Sequence, residues 1–216
     1  MGILGRIKGW ITNAPDMSFK LAGEIRQGLA QDETNTQIIN RVKIATGISE
    51  RNAAALVHTS VQTAANEARL ASFRANSDVI AGLTWMATLD QLTCSACAAR
   101  DGMEWDLDGK PVNNGIPFQS PPLHVSCRCI LTPRTRTFKE LGIDLPDFPA
   151  GPRATAGGPV YGTFDDFLHR QGKAYQDEIF GPGRADLYRR GVITRSQLLD
   201  QDGNELTLEQ LKQNYE

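Results

Sequence analysis

Five residues able to bind a soft metal fall in two tight clusters. Cys94 and Cys97 form a C-x-x-C pair, and His124, Cys127 and Cys129 form H-x-x-C-x-C; the 216-residue chain has no other cysteine. Zinc takes four ligands in a tetrahedron, drawn here from thiolate and imidazole. A C-x-x-C turn puts two sulfurs on one side of a tight bend, and His124-x-x-Cys127 can make the matching second bend. Residues two apart in extended chain face the same way, so Cys127 and Cys129 can also bind together. The spacing points to one structural zinc pinning the base of a loop or small subdomain. Five candidates compete for four positions. Cys94, Cys97, His124 and Cys127 are the first choice, with Cys129 as the alternative fourth ligand in place of His124. Four reduced cysteines holding no metal is the competing reading.

A closed four-ligand site stabilises a fold, whereas a catalytic zinc keeps one position open for water. A deaminase arrangement needs H-x-E upstream of P-C-x-x-C. Here Thr93 precedes Cys94, and the upstream His58 is followed by Thr59 and Ser60. A thioredoxin-like use of Cys94-Ser-Ala-Cys97 lacks its βαβ context. No Gly-rich phosphate loop, nucleophile elbow or H-E-x-x-H motif occurs. Asp90, Asp101, Glu104, Asp106 and Asp108 crowd the first cluster, but carboxylates so placed are more often turn formers and supports for ligands than an acid–base pair. His58 and His169 read as packed or surface histidines. Asp200, Asp202 and Asn204 resemble the start of a calcium loop, yet Glu205 stands where that loop requires glycine. No catalytic residue is named.

The elements that must position these ligands come from a chain of ordinary globular composition, 40% hydrophobic and 22% charged, with a formal net charge of -2. Global charge points to neither nucleic acid nor membrane. Locally, Gly109 to Lys139 holds no acidic residue, while Lys110, Arg128, Arg134, Arg136 and Lys139 are basic. That stretch is either a solvated face around the metal site or a dock for DNA phosphate or an acidic partner. No apolar run is long enough for a transmembrane segment, and the first residues lack the features of a secretory signal. Gly2 could accept myristate, but Arg6 breaks that motif. The cysteines are therefore expected in a reducing cytosol, where metal ligation is favoured over disulfides.

The chain reads as α+β. Ile3, Leu4, Ile7, Trp10 and Ile11 lie at helical spacing, either as a helix packed on its own domain or as a basic amphipathic arm. Residues 17–30 and 34–46 read as helices, with Gly47 capping the second. A long helix opens after Ser49, carries a stripe of small residues from Val57 to Ala75, and stops near 76–82. Leu83 to Thr88 reads as a strand leading to the first cysteine pair. An Asp-Gly turn follows Trp105, predicting a hairpin, and Cys127 to Thr132 reads as a short strand leaving the metal. Prolines and glycines between 146 and 162 mark a linker or extended arm. Thr163 can cap a helix running to Tyr175, residues 184–190 form another, Asp202-Gly203 is a turn, and Thr207 with Gln210 is a capping box for a last helix. The expected organisation is a helical region (1–82), a small zinc-stapled α+β region (83–145), the linker (146–162) and a helical C-terminal segment (163–216).

Three stretches, Leu56 to Arg69, Trp85 to Gly102 with its C-x-x-C, and Pro121 to Cys129 with its H-x-x-C-x-C, together resemble the phage Mu F-like minor head proteins, also called phage head-morphogenesis proteins. Residues 153–155, 165–171 and 177–187 look like the C-terminal extension of many members. The resemblance implies a virion protein present in a few copies in the head interior at or near the portal vertex, assembled in the host cytoplasm. Its implied partners are the portal and the major capsid or scaffold proteins. Its implied roles are head assembly and, in some members, passage into the host with the DNA. Some relatives have a fold likened to ADP-ribosyltransferases or carry toxin domains, so a phage-delivered transferase-like or nuclease effector is the alternative. The family often carries Arg-Thr-Glu where this chain has His58-Thr59-Ser60, a departure that removes the charged pair such a transferase would use.

Overall fold

A computed structural model describes residues 15–148, 151–155 and 158–216. The proposed helix of residues 3–11 lies outside them. The chain divides into two units, residues 1–65 with 124–127, and residues 66–123 with 128–216, the division falling within one long helix.

In the first unit, helices α1 (Pro15–Ala30) and α2 (Asn35–Thr46) precede α3 (Glu50–Ala75). Thr34 opens α2 with a reciprocal box: its hydroxyl accepts from Gln37 N–H, and the Gln37 side chain accepts from Thr34 N–H at 2.8 Å. Gly47 closes it in the left-handed region at φ 70°, where a side chain would be strained. Apolar residues at helical spacing build the core: Leu21 and Ile25 from α1, Ile38 and Val42 from α2, Ala53 and Val57 from α3. Burying each large one contributes about 1.5–3 kcal/mol. Arg41 on α2 ties the α1–α2 hairpin from outside, pairing with Glu24 at 3.2 Å and with Glu33.

The second unit is built on a three-stranded antiparallel sheet of order β2-β1-β3: β1 (Ile80–Met86) lies between β2 (Glu104–Trp105) and β3 (Ile130–Thr135). Leu83 pairs with Trp105 on one side and Pro133 on the other, and Trp85 pairs with Leu131. Leu83, Trp85 and Ala87 are all buried, as the two-residue strand period requires for one face. The Trp105 indole N–H donates to the Ile116 carbonyl at 2.8 Å, which lets a large polar-tipped side chain sit in the core. The Asp-Gly turn forms as expected, the Asp106 carboxylate accepting from the N–H groups of Asp108 and Lys110.

Helix α4 (Ser95–Arg100) follows β1 and carries Cys97. The C-terminal part holds a hairpin of β4 (Arg153–Thr155) and β5 (Gly158–Val160), then α5 (Phe164–His169), α6 (Lys173–Phe180), α7 (Pro182–Arg189), a 3₁₀ turn (Arg195–Leu198) and α8 (Leu208–Tyr215). Phe164, Leu168, Leu187, Leu198 and Leu211 are its largest fully buried side chains. The architecture is mixed helix and sheet, in keeping with an α+β class.

Three elements differ from the sequence reading. The stretch read as linker contains the β4–β5 hairpin, in which Arg153 faces Val160 in register. The helix expected from Thr163 to Tyr175 is two helices: Gly172 adopts an extended conformation at φ -70°, ψ 164° and starts α6 afresh. The Gln176 amide also donates to the Leu168 carbonyl, which accepts from Gln171 N–H as well. Strand β3 begins at Ile130 rather than Cys127, because the Cys129 carbonyl accepts from the Asn66 side chain instead of a neighbouring strand.

Candidate metal centre

The turn before Cys94 is fixed by its own side chains. The Asp90 carboxylate accepts from Leu92 N–H at 2.9 Å, and the Thr93 hydroxyl donates to the Thr88 carbonyl at 2.6 Å. Cys94 is then the residue at the N-terminal cap of α4, in extended conformation at φ -70°, ψ 160°, and Cys97 lies within the first helical turn. Residues three apart share a helix face, so the two sulfurs lie on one side. Cys94 is half-buried and Cys97 buried.

Asn66 organises the entry to β3. It is fully buried in α3; its amide donates to the Cys129 carbonyl at 3.2 Å and its carbonyl accepts from Leu131 N–H at 3.1 Å. One side chain thus satisfies the backbone on both sides of Ile130 and fixes the chain leaving buried Cys129.

In the first unit, residues 124–127 form a turn closed by Cys127 N–H donating to the His124 carbonyl at 3.2 Å. Ser126 sits in the left-handed region at φ 61°, and its N–H donates to the hydroxyl of buried Thr59 at 2.9 Å. His124 Nδ1 lies 2.9 Å from the Val125 carbonyl. With the proton on Nδ1, that bond fixes the ring and makes Nε2 the ligand atom. The Pro121–Pro122 peptide bond just before this turn is cis.

None of the four cysteines is in a disulfide. Two groups among the described residues could hold a metal ion: Cys94, Cys97 and His124, and Cys97, Cys127 and Cys129, with one ligand atom of each residue within 4.8 Å of the others in its group. Cys97 belongs to both. The first-choice quartet is therefore divided between two groups of three.

The surroundings suit an anionic ligand set. Arg100 is 3% exposed. Burial pulls its guanidinium below the usual arginine value, while the sulfurs of Cys97, Cys94 and Cys129 favour its charged form. A buried guanidinium beside three thiol groups offsets the negative charge that thiolates bring to a soft dication. The donor types, the burial and this counter-charge all fit zinc.

The acidic residues near the first cluster act as turn formers and ion-pair partners. Arg128 grips Asp90 through both guanidinium nitrogens, Glu104 faces Arg134 at 3.6 Å, and Asp101, with its side chain 1% exposed, is held by Arg153 at 2.7 Å. The guanidinium of Arg128 holds the Asp90 carboxyl below its usual range.

The basic stretch is partly spent inside the molecule. Arg134 donates to the Ala81 carbonyl, and Arg136 donates to the carbonyls of Ser77 and Asp78 just past the end of α3. Lys110 and Lys139 are exposed. His58 is exposed on α3, and the His169 ring stacks on Tyr188 at 5.7 Å. Sequence reasoning did not single out Asn66 or Thr59. The one available signal was an amide set into a stripe of alanines, where a solvated residue would serve no packing purpose.

Comparison with protein families finds the Phage Mu protein F like protein family over residues 20–132, just over half the chain. The chain belongs to this family. The matched stretch holds most of α1, all of α2–α4, β1 and β2, the first half of β3 and all five candidate ligands. Membership points to phage head morphogenesis and to capsid-related partners. No curated protein and no solved structure matches the chain. No helix among the described residues is long and apolar enough to cross a membrane.

Proposed function

We propose that this chain is a minor head protein that acts in phage head morphogenesis near the portal, its centre stapled by one structural zinc. The observation that carries the proposal is the coincidence of family membership with the Cys/His groups inside the matched stretch. Cys94, Cys97, His124 and Cys127 are the proposed ligands, with Cys129 the alternative to His124. When bound, zinc would cross-link chain segments far apart in sequence and add its binding free energy to folding. Four protein ligands leave no position for water, so the metal's work is structural. The partners are the portal and the major capsid or scaffold proteins, met in the host cytoplasm during assembly, and the chain stays in the head or leaves with the DNA. Lys110, Arg128, Arg134, Arg136 and Lys139 form the proposed contact to DNA or an acidic partner, with Lys110, Arg128, Arg136 and Lys139 its exposed members.

The test is fractionation of the virion. Quantitative mass spectrometry should find the chain in purified heads at a few copies per particle. Its recovery only from infected-cell extract, with none in the particle, would contradict the assignment.

A further inference from the structure

Helix α4 is capped by Cys94 and carries Cys97, yet it has only six residues. A helix this short does not hold itself in place in water. Beside the bonds that tie its end back to Trp85 and Ala87, further support comes from later in the chain, within the same unit. At its start, the hydroxyl of Ser95, adjacent to Cys94, donates to Glu205 at 2.6 Å. At its end, the buried guanidinium of Arg195 donates to the carbonyl of Ala98, which also accepts from Asp101 N–H, and to the carbonyl of Asp101. Arg100 donates to the Gly203 carbonyl. The Asp101 carboxylate accepts from both terminal nitrogens of Arg153 at 2.7 Å and from Phe164 N–H at 3.1 Å. Gly203 is shaped for its role: its φ is +81°, and a Cβ there would stand 2.5 Å from the Arg100 guanidinium. All these partners, from Arg153 to Glu205, lie beyond the stretch matched by the family.

We propose that the C-terminal segment is the clamp of the C-x-x-C helix, with Arg195, Glu205, Gly203 and Arg153 as positioning residues for the metal ligands. The inference rests on the zinc reading above. Coupling of this kind is reciprocal: if docking of the segment favours the metal, the metal favours docking by the same factor.

The experiment uses the full chain and zinc itself. Zinc affinity is measured by competition with a chromogenic chelator, and amide hydrogen exchange of peptides from residues 161–205 is followed with zinc and after its removal. Arg195→Ala and Gly203→Ala should each weaken zinc binding at least tenfold, and Glu205→Ala, the mildest change, by a smaller factor. Arg190→Ala breaks the ion pairs to Asp186 and Glu216 in the same segment without touching α4, and should leave zinc affinity unchanged. Zinc removal should raise exchange in the C-terminal peptides of the wild-type chain, a readout that stands even if Arg195→Ala does not fold. Zinc bound, with C-terminal exchange indifferent to its removal, overturns the clamp and leaves the zinc reading intact. Equal loss of affinity in Arg190→Ala also overturns it, since the effect would then be general destabilisation. A wild-type chain that binds no zinc overturns both.

Discussion

Cys97 is the residue on which the candidate centre turns, since it alone belongs to both ligand groups. Cys97→Ser should abolish zinc retention on gel filtration and lower the thermal midpoint. His58→Ala, on an exposed face, should change neither. Replacing the outer candidates separates the ligand sets: if His124→Ala retains zinc while Cys129→Ser loses it, Cys129 is the fourth ligand. Asn66 offers a test that needs no metal. Asn66→Ala strands the Cys129 carbonyl and the Leu131 N–H in a buried place, at about 1–3 kcal/mol for each unsatisfied group, so urea denaturation should show a loss of about 2–6 kcal/mol. The candidate ligands stood out in the sequence because cysteine is rare and its spacing carries geometry. Asn66 was not, because an amide on an alanine-rich helix reads as a wetted residue until the strand entry beside it is known. Thr59 was hidden for the same reason: its hydroxyl donates to the Ala55 carbonyl within its own helix and accepts from Ser126 across more than sixty residues of sequence.

At the level of elements, local chemistry wrote the helix ends plainly. Gly47, Thr163, and Thr207 with Gln210 cap where the sequence places them, and Thr34 with Gln37 and Thr163 with Asp166 complete reciprocal boxes. What local chemistry could not write was the order of competition between partners. The start of β3 moved because Asn66 took a carbonyl, and the helix after Thr163 broke because Gly172 and Gln176 together offered an alternative. Gly82 shows the same limit. It lies at a register irregularity of β1, and a Cβ there would collide with the Trp105 carbonyl of the neighbouring strand. Gly82→Ala should therefore destabilise the sheet by about 1–3 kcal/mol, read as a lower urea midpoint with an unchanged slope. The Asp90–Arg128 pair makes a pH prediction at the same scale. The Asp90 carboxyl is held below its usual value near 3.8 in the folded state. Its contribution is present above that value and is lost as pH falls through the lower, folded one. Both side chains are about a third exposed, so the contribution is modest, below about 1 kcal/mol. Asp90→Asn should remove that part of the acid dependence from the stability profile below pH ~4.

For the molecule as a whole, the sequence made the mixed class, the ligand clusters and the family legible, since each is carried by local motifs. The C-terminal packing was not legible. Arg153, Arg195 and Glu205 are ordinary surface residue types, and their contacts to α4 span between about fifty and more than a hundred positions of sequence. Nothing in their local pattern announces such a destination. The result is a chain whose second unit joins a sheet, a cysteine-bearing helix and a helical C-terminal segment through buried arginine and carboxylate groups. The most direct check is metal content: elemental analysis of the chain purified without affinity metals, paired with thiol titration before and after chelation. The account predicts one zinc per chain, thiols shielded until the metal is removed, and a fall in thermal midpoint on removal. A metal-free chain with four reactive thiols, equally stable with and without chelator, would contradict it.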